Sequence, residues 1–210
     1  MKITWFGHAC FLFETAQIKI LTDPFDSSVG YKVPNVVADI VTESHQHFDH
    51  NAHHLIKGKF ELVKEPGVHQ LKGVKITGIK TFHDCEAGTK RGQNIVFVFE
   101  VEDFRIVHLG DLGHTLNQIQ LDQIKPADIL LLPVGGTFTI GPAEAKKVLD
   151  QIDPHAAIPM HFKTKHIKFD IAPVEEFANL CENVKYLGNN ILEIDKEIKN
   201  KNRFVYVLSI

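Results

Sequence analysis

Four residues with metal-binding side chains crowd into the six positions 45–50, shortly after an apolar stretch. The apolar stretch predicts a buried strand, and a rigid strand end can aim the side chains that follow it into a cleft. His45 and His47 are two positions apart, so in extended chain they point the same way and can share one metal ion. Asp49 and His50 lie farther along and can reach a second ion. A solvated polar loop is the alternative, and the HxHxDH pattern disfavours it.

Three more residues with ligand-type side chains each follow a strand-like run: His83, Asp111 and His161. Four neighbouring residues cannot complete two coordination spheres, so a site for two ions needs such distant ligands. Gly110, just before Asp111, would let the backbone approach closely. His108 is the alternative to His83, although in an extended strand it faces away from Asp111, and we favour a structural role for it.

Short apolar runs separated by turn residues predict a strand-rich chain with a mixed, two-sheet core and helices outside. A hairpin is predicted from strands 94–101 and 104–109, turning at Glu102-Asp103. Helices are predicted at 116–124, 142–152 and 173–181, with a short one at 51–57. No low-complexity linker or tandem repeat interrupts the chain, so we expect one domain over residues 1–210.

Charge and cysteine content restrict the class of protein. The net charge of the 210-residue chain is -3, which gives no basic footprint for nucleic acid. Its three cysteines form no CxxC pattern, so a reducing compartment is expected rather than a disulfide framework. We find neither a signal-peptide pattern nor an apolar run long enough to span a membrane. The expected location is cytoplasmic, with no membrane partner.

Several short motifs, taken with the ligand pattern, resemble the metallo-β-lactamase superfamily along essentially the whole chain. The resemblance is greatest to a branch of metal-dependent hydrolases that includes the ascorbate-phosphate lactonases and is related to the N-acyl-phosphatidylethanolamine phospholipases. It implies an α/β fold, a four-layer αββα sandwich with metals at one edge between the sheets. The motifs are Gly7-His8-Ala9-Cys10, Thr22-Asp23-Pro24-Phe25, Leu132-Pro133-Val134-Gly135-Gly136 and Pro159-Met160-His161.

The same resemblance implies seven ligands for two divalent ions. The first ion would be held by His45, His47 and His83. The second would be held by Asp49, His50 and His161, with Asp111 bridging both. Histidine and carboxylate ligands without cysteine suit Zn²⁺, with Mn²⁺ as the rival. A histidine at position 47, where the di-iron oxygen-reducing relatives have glutamate, argues against those relatives.

A site for two divalent ions indicates a hydrolase that acts on a small ester, lactone or phosphoester, because such ions can supply hydroxide at neutral pH. The predicted catalytic residues are Asp49, which would orient the hydroxide, and His8, which would line the site. The alternatives are a nuclease or phosphodiesterase of the same superfamily, a mononuclear iron oxygenase, and a non-catalytic metal-binding protein.

Loops around the metals are expected to set specificity for a small-molecule substrate: 26–35, 85–92 and 135–141. Backbone amides of residues 135–138 could face an anionic substrate, and a plain strand-to-helix turn is equally consistent with these residues. The natural substrate and the oligomeric state are left open by the sequence. Candidates for supporting the ligand histidines are Asp23, Glu43 and Asp84, which the sequence does not rank.

Overall fold

Two β-sheets dominate the computed structural model, which describes residues 1–200 and 202–210. Strands are numbered in chain order. The first sheet has six strands: β1 (Lys2–Gly7), β2 (Cys10–Glu14), β3 (Lys19–Thr22), β4 (Ile40–Thr42), β5 (Glu61–Val63) and β13 (Ile191–Glu193). The second has eight: β6 (Gly67–Leu71), β7 (Val74–Phe82), β8 (Gln93–Val101), β9 (Phe104–His108), β10 (Ile129–Pro133), β11 (Ala156–Met160), β12 (Val184–Tyr186) and β14 (Phe204–Val207).

Each sheet combines antiparallel and parallel strands. The six-stranded sheet runs in the order β13-β1-β2-β3-β4-β5, with β3, β4 and β5 parallel. The eight-stranded sheet runs β12-β14-β11-β10-β9-β8-β7-β6, with β9, β10 and β11 parallel. Because the carboxyl ends of parallel strands meet at one edge of a sheet, the loops that follow β3, β4, β9, β10 and β11 gather their side chains there.

The main core lies between the two sheets. Alternate side chains of β2 face it, and the ring of Phe13 packs edge-on against Phe99 of β8 with centroids 5.3 Å apart. Leu12, on the opposite face of β2, belongs to a second buried cluster with Leu21 and Phe25. Both faces of the six-stranded sheet are therefore covered, which holds its strand ends rigidly against the other sheet.

Among the described residues, three α-helices accompany the sheets: α1 (Gln118–Ile124), α2 (Pro142–Ile152) and α3 (Val174–Ala178). Helix α2 packs on β10 and on α3, through buried side chains spaced three or four apart. Loops and the short 3-10 turns Ser27–Val29 and His53–Leu55 accompany the six-stranded sheet in the described part of the chain.

Local sequence signals predicted several elements well. The hairpin is confirmed, since Glu102 and Asp103 have φ of 48° and 66°, as a two-residue turn of this type requires. Helix α2 begins at Pro142 as predicted, because proline suits the first helical position. The helix predicted at 51–57 is wrong: only the 3-10 turn His53–Leu55 forms, and the amide of Ala52 bonds to the Pro24 carbonyl instead. The helix predicted at 173–181 is shorter, Val174–Ala178.

No helix among the described residues combines the length and the apolar character needed to cross a bilayer.

Candidate metal centre

Four imidazoles converge on a single carboxylate oxygen at the edge where the two sheets meet. Oδ2 of Asp111 lies 3.2 Å from Nε2 of His83, and 3.3 Å from Nε2 of both His50 and His161. Nε2 of His45 is 4.0 Å away. All five residues are buried. Residues predicted from three separate strand ends thus meet the histidine-rich segment at one point.

His45, His47 and His83 form the first cluster. One nitrogen from each lies within 4.8 Å of the others, a spacing that could hold one ion. The ring centroids of His45 and His83 are 4.7 Å apart, and those of His47 and His83 are 5.0 Å apart. His47 is the exposed member, so this cluster opens towards solvent.

The second cluster contains one more histidine than the predicted ligand set. His8, His50 and His161 form one group whose nitrogens lie within 4.8 Å, and His45, Asp49 and His50 form another. Nε2 of His8 donates to Oδ2 of Asp49 at 3.1 Å. Because a carboxylate only accepts, His8 carries its proton on Nε2. The structure therefore joins His8 to the site through Asp49.

Asp23 supports the histidine-rich segment from beneath. This fully buried carboxylate accepts from the backbone N–H of Ser44 at 2.7 Å, the Ser44 hydroxyl at 2.6 Å and Nδ1 of His50 at 2.9 Å. The Ser44 oxygen lies 3.0 Å from Nδ1 of His45. Since the hydroxyl proton goes to Asp23, that oxygen accepts from His45. The protons of both histidines are thus fixed on Nδ1, and the Nε2 atoms are the ones that face Asp111.

The nitrogen and oxygen atoms of these clusters pass a test for metal binding. Within the described residues, Nε2 of His45, Nε2 of His50 and Oδ1 of Asp111 are buried without a hydrogen-bond partner. Buried polar atoms are normally satisfied, so a cluster of lone-pair atoms without hydrogen-bond partners at one point needs an explanation. A cation held by nitrogen and oxygen ligands satisfies all of them at once.

Mutual electrostatics perturb the titration of these groups. Burial and the neighbouring His50 lower the pKa of His45 to about 2. Burial, together with His161, lowers the pKa of His8 to about 4. Although burial opposes it, the charges of His161 and His50 hold the pKa of Asp111 well below its usual range. At neutral pH, His8 and His45 are therefore neutral and Asp111 is ionised.

Burial also opposes protonation of His50, but Asp111 and Asp23 raise its pKa well above the ordinary value. The second proton of this imidazole lies on Nε2, at the place a cation would occupy. Binding of a cation there would release that proton, as is general for histidine ligands.

Of the two alternatives for the first cluster, His83 lies with the other histidines and His108 does not. Nε2 of His108 donates to the Ala9 carbonyl at 2.8 Å, and its Nδ1 accepts from the Gly110 amide at 3.2 Å. Both ring nitrogens are thus used by backbone. A Cβ on Gly110 would stand 2.6 Å from the Ser44 side chain, so only glycine allows the chain that follows β9 to pass this close to the site.

A cavity of about 550 Å³ opens over the clusters, with Asp49, Asp111 and His161 among its lining residues. The predicted specificity loops 85–92 and 135–141 contribute Arg91 and Phe138. The third predicted loop, 26–35, does not line this cavity in the described structure. It lines a separate one, because its one aromatic side chain, Tyr31, packs against Trp5 of β1. Phe169, which sequence reasoning missed, takes its place in the wall.

Two of the four backbone amides at 135–138 that were expected to face an anionic substrate are already hydrogen-bonded within the protein. The amide of Gly136 donates to the Ile140 carbonyl at 3.2 Å, and that of Phe138 donates to the Gly136 carbonyl at 2.6 Å. Both amides are consumed within the turn, so they are not free to bind an anion. The plain-turn alternative accounts for these two amides, and a role for the amides of Gly135 and Thr137 stays a prediction.

The other two candidates for supporting the ligands act elsewhere. Glu43 binds Nδ1 of His53 at 2.5 Å and the Gln46 amide at 3.1 Å. Asp84 binds backbone amides of the loop that follows it. Asp23 is therefore the carboxylate that directly orients a predicted ligand, which sequence spacing could not reveal.

Comparisons with known proteins agree with this geometry. Residues 2–161 match the family profile described as a β-lactamase superfamily domain. The chain is 32% identical over 198 residues to a UPF0173 metal-dependent hydrolase of Methanopyrus kandleri, covering 78% of this chain and 85% of that protein. A relative of the same name from Carboxydothermus hydrogenoformans is 33% identical over 196 residues, with 78% and 85% covered. A crystal structure from Thermotoga maritima, named as a candidate zinc-dependent hydrolase of the metallo-β-lactamase superfamily, is 50% identical with a TM-score of 0.84 and 99% of both chains covered.

The predicted mixed α/β fold with two central sheets is confirmed by that profile and by this structural likeness. The finer resemblance to ascorbate-phosphate lactonases stays a prediction.

Proposed function

The chain belongs to the β-lactamase superfamily, among its UPF0173 metal-dependent hydrolases, and from this premise we propose that it hydrolyses a small ester, lactone or phosphoester with two divalent ions. The observation that carries the proposal is the convergence of four imidazole Nε2 atoms on Oδ2 of Asp111, within 3.2–4.0 Å. No packing or hydrogen-bonding role requires such an arrangement.

The proposed ligands divide into two sets that share Asp111. His45, His47 and His83 hold one ion, and Asp49, His50 and His161 hold the other. Neutral imidazoles and carboxylates without a thiolate suit Zn²⁺, and Mn²⁺ is the rival. The Nδ1–H groups fixed by Ser44 and Asp23 support this division, since they leave Nε2 of His45 and His50 available as ligand atoms.

Two divalent ions would supply hydroxide at neutral pH, because they lower the pKa of a water molecule to about 7. Around them, the protein's own groups bind and orient. Asp49 lines the cavity, and His8 holds its Oδ2 with a hydrogen bond. Oδ2 of Asp49 also lies 3.9 Å from Nε2 of His50 and so faces the second cluster, and Oδ1 of Asp49 would then be left to hold the proton of the attacking water. Burial and the His8 bond act in opposite directions on the carboxyl, and the bond prevails, so the pKa of Asp49 is lowered and it is ionised for this role.

His8 is thus a positioning residue in this proposal. Its neutral ring donates through Nε2 and packs at a tilt against the ring of His161, with centroids 4.2 Å apart. Both His8 and His161 have positive φ of 52°, a conformation that costs energy in residues other than glycine. Backbone strain at two neighbouring residues of a site is consistent with a functional constraint on their side chains.

The test combines metal analysis with a substrate panel. Metal content is measured by mass spectrometry. Hydrolysis of 4-nitrophenyl esters, lactones and bis-4-nitrophenyl phosphate is then followed with and without chelator. We expect chelator-sensitive hydrolysis that Zn²⁺ or Mn²⁺ restores. Phosphodiester cleavage alone would favour the phosphodiesterase alternative, and bound iron with oxygen consumption would favour the oxygenase.

Variants sharpen this test. His47→Ala and Asp111→Ala should abolish activity while circular dichroism still reports a folded protein. His54→Ala, which removes an exposed histidine of the same region, is the matched control and should keep activity. If no substrate is turned over faster than in the chelated control at any metal loading, the proposed reaction is wrong.

A further inference from the structure

We propose that Arg91 selects substrates with a carboxylate or phosphate group that an apolar segment separates from the bond to be hydrolysed. The inference deepens the proposed function and rests on it for the reaction itself. It comes from the walls of the 550 Å³ cavity above the clusters rather than from the clusters.

The guanidinium of Arg91 is held in place without a counter-charge. Its Nη2 donates to the Thr137 carbonyl at 3.0 Å, and its Cζ lies 5.5 Å from the centre of the Phe138 ring. Arg105 and Arg203 each pair with a carboxylate, whereas across residues 1–200 and 202–210 no carboxylate lies within ion-pair distance of Arg91. A guanidinium has five N–H donors, so most of them stay available to an anion in the cavity.

The backbone that carries Arg91 is also fixed in advance. Asp84, the residue after His83, gathers the loop around its carboxylate. Its two oxygens accept from the backbone N–H groups of Glu86 (2.8 Å), Gly88 (2.8 Å), Lys90 (2.9 Å) and Arg91 (2.8 Å). The position of Arg91 is therefore tied to that of His83, and little ordering is needed when a ligand binds.

An aromatic wall connects Arg91 to the floor of the cavity. Phe138, under the guanidinium, packs edge-on against Phe169 with centroids 5.8 Å apart. Phe169 in turn packs edge-on against His8, also at 5.8 Å. Phe48 lines the same cavity and is 55% exposed. Apolar side chains thus extend from the histidine clusters to the cation, as an apolar spacer in the substrate would require.

Lys90 is the other cation in this wall, and its situation differs. The ammonium of Lys90 pairs with the carboxylate of Glu86, four residues earlier in the same loop, and Lys90 is exposed. An exposed, paired ammonium contributes little to binding an anion. The structure therefore offers a matched control: two neighbouring positive charges, of which only one is free and oriented.

The kinetic test compares two esters of equal acyl length, 4-nitrophenyl hexanoate and mono-4-nitrophenyl adipate, which differ by one terminal carboxylate. In both, water adds across the aryl ester bond and releases 4-nitrophenolate and the acid. We expect kcat/KM of the metal-loaded protein to favour the adipate ester by about tenfold. Arg91→Gln should bring the ratio close to one through KM, because the lost contact is equal in ground and transition states. Arg91→Lys should restore part of the preference, and Lys90→Gln should leave most of it.

A binding measurement keeps the inference separate from the reaction. Calorimetry with 6-phenylhexanoate on the metal-loaded protein should show affinity about tenfold weaker in Arg91→Gln than in the unsubstituted chain. 6-Phenylhexan-1-ol should bind both proteins alike. Equal affinity of 6-phenylhexanoate for the two proteins would overturn the inference, because the carboxylate would then be held by the metals or elsewhere. Equal kcat/KM for the two esters would overturn it as well. If no ester is hydrolysed, the proposed reaction fails and the calorimetry still decides the role of Arg91.

Discussion

Replacing Asp23 with asparagine should weaken metal binding without touching any proposed ligand. The carboxylate makes three hydrogen bonds, to the Ser44 amide, the Ser44 hydroxyl and Nδ1 of His50, at 2.6–2.9 Å. All three partners are donors, and an asparagine amide replaces one acceptor oxygen with a donor NH₂. Whichever way the amide turns, at least one donor faces another donor in a buried site.

The expected magnitude follows from these bonds. A buried hydrogen bond to a charged group contributes about 1.5–3 kcal/mol, so the free energy of unfolding should fall by about that amount. Mutation of a carboxylate that supports a metal-bound histidine typically lowers metal affinity by about 10- to 100-fold, and we expect a loss in the same range here. The metal affinity should fall because His50 loses its fixed orientation and the charge that favours its Nδ1–H.

The assay is competition for Zn²⁺ between the protein and a fluorescent chelator, paired with urea denaturation of the metal-free protein. Glu43→Gln is the matched control, since Glu43 is equally buried and also accepts two side-chain hydrogen bonds, but from Gln46 and His53. It should lower stability while leaving the affinity within about threefold of the unsubstituted chain. Unchanged Zn²⁺ affinity in Asp23→Asn would refute the reasoning, and so would an equal loss of Zn²⁺ affinity in the two variants.

Three further predictions concern the same centre. Removal of metal by a chelator should lower the melting temperature by about 10 °C, and added Zn²⁺ should restore it. The reason is that a bound ion contributes about 4 kcal/mol to stability when its free concentration is far above its dissociation constant. An unchanged melting temperature in differential scanning calorimetry would contradict a bound ion. His83→Ala should lower Zn²⁺ affinity at least about tenfold, whereas His108→Gln should lower the free energy of unfolding and spare the affinity. Competition and denaturation experiments separate these effects, and the reverse pattern would exchange the roles of the two histidines. Gly135→Ala should destabilise by about 1–3 kcal/mol, because its Cβ would lie 2.2 Å from the His161 carbonyl; a neutral result in urea denaturation would show that this backbone yields.

The local part of the site was predictable from sequence, because HxHxDH places four ligand-type residues in one segment after a buried strand. The distant members could be assigned through their strand-end positions and the family resemblance, since β7, β9 and β11 all end at the same edge. Periodicity identified the hairpin and helix α2 for equally local reasons.

Features that depend on side-chain direction in loops could not be predicted. Asp23 follows a strand, as do many aspartates, and only the fold brings it within 2.9 Å of His50. Phe169 belongs to no periodic segment, and its contacts with His8 and Phe138 exist only because the loop after β11 returns to the cavity. The helix expected at 51–57 failed because tertiary contacts outweighed local propensity: His53 binds Glu43 and the Ala52 amide binds Pro24.

The groups around Asp111 come from turns of both sheets and span positions 8 to 161 of the chain, and the amide of His161 donates to the carbonyl of His8 at 3.2 Å. A growing polypeptide cannot bring them together until synthesis has passed residue 161. Contacts so distant in sequence also form late in folding, since the intervening loops must close first. Assembly of the full set of proposed ligands therefore follows the pairing of the sheets, in contrast to small zinc modules in which the ion itself directs the chain to fold.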